Sequence, residues 1–198
     1  MINHKHKFIF IHIPRAGGTS IEHALCNSDW WKIHPPSKHI TAHIAKKIYK
    51  PYWDDYFKFS FVRNPWDRMV SMSRYGSFYG VELGGEGKLV INKYLKKFEK
   101  VEYDARFFNL KQFEDFKQKP KSVYMNIIGE EMDFIGRFEN LQEDFNNACD
   151  LIKVNCKKLK HIEKGPQRDG YAGYYNHINK SIIEDKYLLD IEEFNYSF

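Results

Sequence analysis

Residues 15–20, Arg-Ala-Gly-Gly-Thr-Ser, gather groups that suit an oxyanion. Arg15 brings a fixed positive charge, and Thr19 and Ser20 bring hydroxyl donors. Gly17 and Gly18, following Ala16, let the backbone N–H groups close on a phosphate or sulfate. The spacing G-x-x-x-x-G-K-[ST] is absent, so the turn alone is either an anion site or a tight strand-to-helix connection without a ligand. A second set stands at 63–71. Arg63 can grip a second phosphate, with Ser71 two turns further along; the alternative is that Arg63 pairs with Asp67 or another carboxylate. A third set is His39 and His43, four residues apart and so on one face of a helix. His39 falls at the start of that helix, where its side chain can point into a neighbouring cleft.

The elements that must position these groups can be read from periodicity. Residues 8–13 form a short apolar run ended by Pro14, which reads as a buried strand of a parallel sheet. A helix over Gly18–Cys26 follows, so the glycine turn meets a helix N-terminus with its unpaired N–H groups and partial positive charge. Phe57, Phe59 and Phe61 alternate with Lys58, Ser60 and Val62 as a second strand, ended by Arg63. Asn64 is then an N-cap, Pro65 a first helical residue and Asp67 a favourable first-turn carboxylate. In open parallel sheets that edge is where ligands bind.

Elsewhere the sequence predicts a loop over 27–38 because of Pro35 and Pro36, its two tryptophans forming a wall over core or ligand. It predicts a helix over 39–50 with Ile40, Ile44 and Ile48 as its buried stripe, stopped by Pro51. A mobile glycine-rich loop is expected over 76–88, helices over 89–100 and 107–117, and strands over 122–128 and 133–138. Asn140 is expected to cap the next helix, with Glu143 as capping-box partner and Leu141, Phe145, Ala148 and Ile152 buried. The basic stretch 155–175 reads as a flap over an anionic ligand. A helix over 180–189 and an aromatic tail packed into the core close the chain.

At 198 residues with 17% aromatics, the chain fits one domain, 1–198, with a sizeable core. No apolar stretch approaches the roughly 20 residues of a membrane helix, and the N-terminus lacks a signal-peptide pattern. Three cysteines, Cys26, Cys149 and Cys156, are too few and scattered for a disulfide framework or a zinc site, which points to a reducing cytoplasm. The net charge of +5 suits a polyanionic small molecule and nucleic acid equally.

Four segments in order resemble the sulfotransferase family that uses 3′-phosphoadenosine-5′-phosphosulfate (PAPS), in its carbohydrate-type, family 2-like branch. FIHIPRAGGTSIE is similar to that family's 5′-phosphosulfate loop, and FSFVRNPWDRMVS to its 3′-phosphate strand and helix. IGRFENLQEDF and DIEEFNYSF are similar to later segments. The resemblance implies an α/β fold: a single P-loop-like domain with a central, mostly parallel sheet flanked by helices. It implies that Arg15, Ala16, Gly17, Gly18, Thr19 and Ser20 hold the 5′-phosphosulfate, and that Arg63 and Ser71 hold the 3′-phosphate. Arg168, in the basic flap, would join the cofactor site. The family usually has Lys where this chain has Arg15, so charge stabilisation survives but proton donation there is in question. Phe138 lies where the wider family lines the adenine pocket, although core packing is its expected role.

The implied reaction is in-line sulfuryl transfer from PAPS to an acceptor hydroxyl on a glycan or small molecule, with catalytic roles for His39 and Arg15. His39 is favoured as general base, then His43, with His12 and His161 behind them. No metal and no nucleic-acid partner are implied. The competing readings are a P-loop-type nucleotide kinase or triphosphatase and a non-catalytic binder of nucleotide or nucleic acid. The first is disfavoured by the missing lysine spacing and by the lack of a clear Mg²⁺-binding carboxylate after a strand.

Overall fold

Two strands with apolar residues on both faces organise the first of two units of chain in the computed structural model, which describes residues 1–73, 81–83, 89–91, 119–155, 158–160, 162 and 169–198. The first unit holds the described residues of 1–62 and 127–162, and the second those of 63–91, 119–126 and 169–198. In chain order the first elements are β1 (Ile2–Asn3), β2 (Phe8–Ile11), α1 (Gly18–Cys26), α2 (Trp30–Ile33), α3 (Ala42–Ile48), α4 (Lys50–Trp53) and β3 (Phe57–Val62). Then follow α5 (Pro65–Met72), β4 (Val81–Leu83), β5 (Leu89–Ile91), α6 (Tyr124–Ile128) and β6 (Phe134–Arg137). The last are α7 (Leu141–Leu151), α8 (His177–Lys186) and α9 (Leu188–Glu193).

The first unit contains a four-stranded sheet in the order β1-β2-β3-β6. β1 runs antiparallel to β2, while β2–β3 and β3–β6 are parallel. Register sets Phe10 against Phe59 and Val62 against Arg137. The Ser60 hydroxyl donates to the Ile11 carbonyl at 2.7 Å, which satisfies a polar group with no exposure. Phe8, Phe10, Phe59 and Phe61 pack with Ile21 of α1, with Phe145 and Ala148 of α7, and with Ile152 just after it. The chain is therefore α/β with a mostly parallel sheet flanked by helices, as expected. β2, α1, β3 and β6 lie where the sequence placed them.

Several expectations are corrected. The 27–38 loop contains α2, because Asp29 caps it by accepting the Trp31 N–H at 2.8 Å, and Pro35–Ser37 forms a 3₁₀ turn. α3 begins only at Ala42, capped by Thr41, so His39 precedes it; Ile40 and Ile44 are buried but Ile48 is 39% exposed. Pro51 does not stop a helix but sits in the first turn of α4. The Lys58 side chain on β3 is buried and donates to the carbonyls of Trp53 and Tyr56. Asn140 makes no side-chain cap to α7, and the capping box with Glu143 does not form; Asp144 instead accepts the Arg137 N–H at 2.6 Å. Cys149 is disulfide-bonded, while Cys26 is free, so the cysteine count no longer argues for a reducing compartment.

The second unit is held by buried polar groups as much as by apolar ones. The Arg68 side chain, fully buried, donates to the Tyr187 hydroxyl at 2.6 Å and lies 5.5 Å from the Tyr124 ring. Asp190 is also fully buried, accepting from the Ser122 hydroxyl and from the backbone N–H groups of Val123, Tyr124 and Met125. That carboxylate caps α6, which is why 122–128 is not the expected strand. β4 and β5 pair antiparallel, where the sequence predicted loop and helix start. The predicted single C-terminal helix is α8 followed by α9. In the tail, Phe194 is buried and the half-exposed Phe198 packs edge-on to Trp66, Tyr171 and Tyr175. The predicted helix over 107–117 lies outside the described residues. Among the described residues no helix is long and apolar enough to cross a membrane.

Candidate active site

The turn after β2 is shaped by two glycines with different tasks. Gly17 takes φ +85°, the left-handed conformation that glycine adopts without strain. A Cβ there would lie 2.9 Å from Leu141 and 3.3 Å from Phe138. Gly18 begins α1, and a Cβ there would lie 2.2–2.3 Å from Cδ2 and Nε2 of His12. Both positions are thus fixed by packing inside the first unit, and Phe138 is half-buried against this turn. Arg15, partly exposed, also takes a left-handed backbone, φ 66°. That conformation costs a non-glycine residue about 1 kcal/mol.

The donors of the turn differ in availability. The Ala16 N–H donates back to the Ile13 carbonyl within the turn. Ser20, buried, accepts the Ile162 N–H on its hydroxyl oxygen at 3.3 Å, which leaves its O–H to donate. Thr19 is partly exposed in the first turn of α1, where backbone N–H groups have no intrahelical acceptor.

Beneath the turn lies a buried charge cluster that sequence reasoning missed. His12 Nδ1 donates to Glu22 Oε1 at 2.6 Å, and Lys38 Nζ donates to Glu22 Oε2 at 2.9 Å. The Trp30 N–H donates to the same Oε2 at 3.0 Å, and Lys38 also pairs with Asp29. Burial alone would raise the Glu22 carboxyl, but His12 and Lys38 outweigh it and hold the group far below the usual carboxylate range. Burial lowers the His12 pKa, with partial compensation from Glu22. The available signal was spacing: Gly18, Ile21, Glu22 and Leu25 share one helical face, which places an acid among core residues.

His39 joins this cluster. Its Nδ1 lies 3.3 Å from the His12 carbonyl, and its ring meets the His12 ring edge-on at 4.5 Å between centroids. A carbonyl only accepts, so Nδ1 carries the proton and Nε2 keeps its lone pair. Burial, then the neighbouring His12 and Lys38, hold His39 well below its ordinary pKa. The partly exposed Trp31 ring stands 6.0 Å away. His43 sits on α3 one turn beyond.

In the second unit, Arg63 is buried, and its Nε and Nη2 both donate to Asp67 Oδ2 at 2.6 Å. The carboxylate pairing weighed from sequence is therefore present. The Tyr124 hydroxyl donates to the Arg63 carbonyl. Asn64 caps α5 as expected, accepting the N–H groups of Trp66 and Asp67. Ser71 is buried on α5. Arg15–Ser20 and His39 thus belong to the first unit, Arg63 and Ser71 to the second. Arg168 and His161 lie outside the described residues. Among the described residues no group of three or more His, Cys, Asp or Glu side chains could hold a metal ion.

The glycine turn between β2 and α1 and the arginine that follows β3 both lie within the part of the chain that a known family matches. The model of the sulfotransferase family matches residues 1–122, and the chain belongs to that family. Among individual proteins it is similar to carbohydrate sulfotransferase 9 of Homo sapiens, with 25% identity over 235 aligned positions covering 99% of this chain and 52% of that protein. The chain thus spans about half the length of that curated relative. No solved structure matches the chain.

Proposed function

We propose that the chain transfers a sulfuryl group from PAPS to an acceptor hydroxyl, on a carbohydrate, with His39 as general base. The observation that carries this reading is the His39 imidazole, whose Nδ1–H faces the His12 carbonyl while the His12 ring borders Gly18 at the head of α1. Family membership supports the transfer, and the relative's name supports a carbohydrate acceptor.

The family resemblance supports a doubly anionic adenosine as donor. Arg15, the N–H groups at the start of α1 and the Thr19 and Ser20 hydroxyls would hold the 5′-phosphosulfate. Arg63 and Ser71 would hold the 3′-phosphate, with Asp67 orienting the guanidinium. When bound, PAPS supplies the sulfuryl group and a phosphate as leaving group. Arg15 would stabilise charge through a guanidinium that stays protonated, so position 15 acts by charge and not by delivering a proton. His39 Nε2 accepts the proton of the acceptor hydroxyl; its depressed pKa keeps that atom unprotonated at neutral pH. Trp31, partly exposed beside His39, offers a face on which a sugar ring can stack.

Thermal shift with adenosine 3′,5′-bisphosphate, set against ATP with Mg²⁺, tests the donor. Stabilisation by the bisphosphate alone is expected, and the reverse pattern would replace this reading with a kinase or triphosphatase. His39→Ala is expected to keep bisphosphate binding while transfer of labelled sulfate to a glycan pool collapses by about 10²-fold or more. Unchanged turnover in that variant removes His39 from the role.

A further inference from the structure

We propose that Glu22 is a positioning residue for His39. With one carboxylate oxygen it holds the His12 imidazole against which His39 rests, and with the other it holds Lys38, the residue before His39 in the chain. This rests on the reading of His39 as the base.

Glu22 has no exposure, and both of its oxygens are engaged: Oε1 by His12, Oε2 by Lys38 and by the Trp30 N–H. Its side chain thereby joins the end of β2, α1, the start of α2 and the segment leading into α3. A buried ion cluster contributes little net stability compared with apolar residues of the same volume, so stability alone is a weak reason for its presence. What the cluster does fix is His39. The His12 ring, oriented by Glu22, forms one wall of His39 at 4.5 Å, and the His12 carbonyl receives its Nδ1–H. Lys38 is anchored from two sides, by Glu22 and Asp29, which pins the backbone from which His39 projects. Among the described residues the charged and titratable groups acting on His39 are His12 from the end of β2, Glu22 from α1 and Lys38 from its own segment. Glu22 raises the His39 pKa, whereas His12 and Lys38 lower it.

The test reads His39 by ¹⁵N NMR in the full chain without donor, together with the pH dependence of turnover. Wild-type His39 is expected to carry its neutral proton on Nδ1; finding it on Nε2 overturns the proposal. Glu22→Gln cannot accept from both His12 and Lys38, so His39 should become a mixture of tautomers. Its titration should also move to lower pH, with kcat falling by about tenfold while KM for PAPS stays within about twofold. Glu22→Asp, which keeps the charge, should recover most of that loss. A folded Glu22→Gln protein whose His39 signals and pH profile match wild type overturns the assignment. Should Glu22→Gln fail to fold, Lys38→Met decides: with one of the two groups that Glu22 holds removed, His39 should become a mixture of tautomers, and a His39 proton still wholly on Nδ1 overturns the proposal. If no form sulfates any acceptor, the reading of His39 as base falls, while the NMR arm still decides whether Glu22 sets its tautomer.

Discussion

The ends of β2 and β3 both lead directly into a helix, yet they are specified by different physics. After β2 the backbone is dictated by space: Gly17 in a left-handed conformation against Leu141, and Gly18 against the His12 ring. After β3 it is dictated by pairing: Arg63 on Asp67, and Asn64 on the first N–H groups of α5. The first turn tolerates almost no added atom; the second depends on keeping its charge and its acceptor. A pattern of glycines in a candidate anion loop therefore does not by itself show that a ligand requires them, because here neighbouring side chains already do.

The largest effect should come from the crowded end. Gly18→Ala forces a methyl group into an imidazole that Glu22 prevents from turning away, and should cost about 3 kcal/mol of unfolding free energy. Urea denaturation measures it, and a loss under about 1 kcal/mol would mean that the His12 ring can move. At the paired end, Arg63→Ala takes the Arg63 guanidinium away from Asp67. Because Asp67 is partly open to solvent, the expected loss is about 2 kcal/mol rather than the larger value of a sealed pair.

Arg15→Gly should separate stability from binding. It relieves a left-handed arginine but adds glycine's unfolded-chain entropy, so the unfolding free energy should stay within about 1 kcal/mol, while calorimetry should show weaker binding of adenosine 3′,5′-bisphosphate. A destabilised variant with unchanged affinity would make Arg15 a structural residue.

Protons give the gentlest contrast. His12 and His39 have folded pKa values below the ordinary value of about 6.5, so their contribution to stability is complete above that pH. As pH falls below it, the unfolded chain takes up protons that the native state resists, and the melting temperature should drop. His39→Gln should flatten that slope, whereas Arg63→Ala should leave it intact, since arginine does not titrate there.

Much of the frame was legible because it is local. The phenylalanine runs of β2 and β3 and the Asn-Pro start of α5 contain their own instructions. What could not be read depends on distant partners. Residues 122–128 look like a strand until Asp190 supplies the cap that makes α6. Ile48 continues a helical stripe that α3 leaves exposed before the chain turns into α4. Of the candidate site, the loop residues stood out by type and spacing, and His39 by the family resemblance. Glu22 did not, because its role appears only when β2, α1 and the segment before α3 meet.

Asp190 has one more implication, for the order of events during synthesis. The four donors it receives lie 65–68 positions earlier in the chain. On a translating ribosome those groups emerge well before their acceptor and must wait in water or with temporary partners. The second unit is therefore expected to close late, leaving residues 122–125 open to chaperones or proteases well after β2 and β3, whose Ile11 and Ser60 lie only 49 positions apart, can pair.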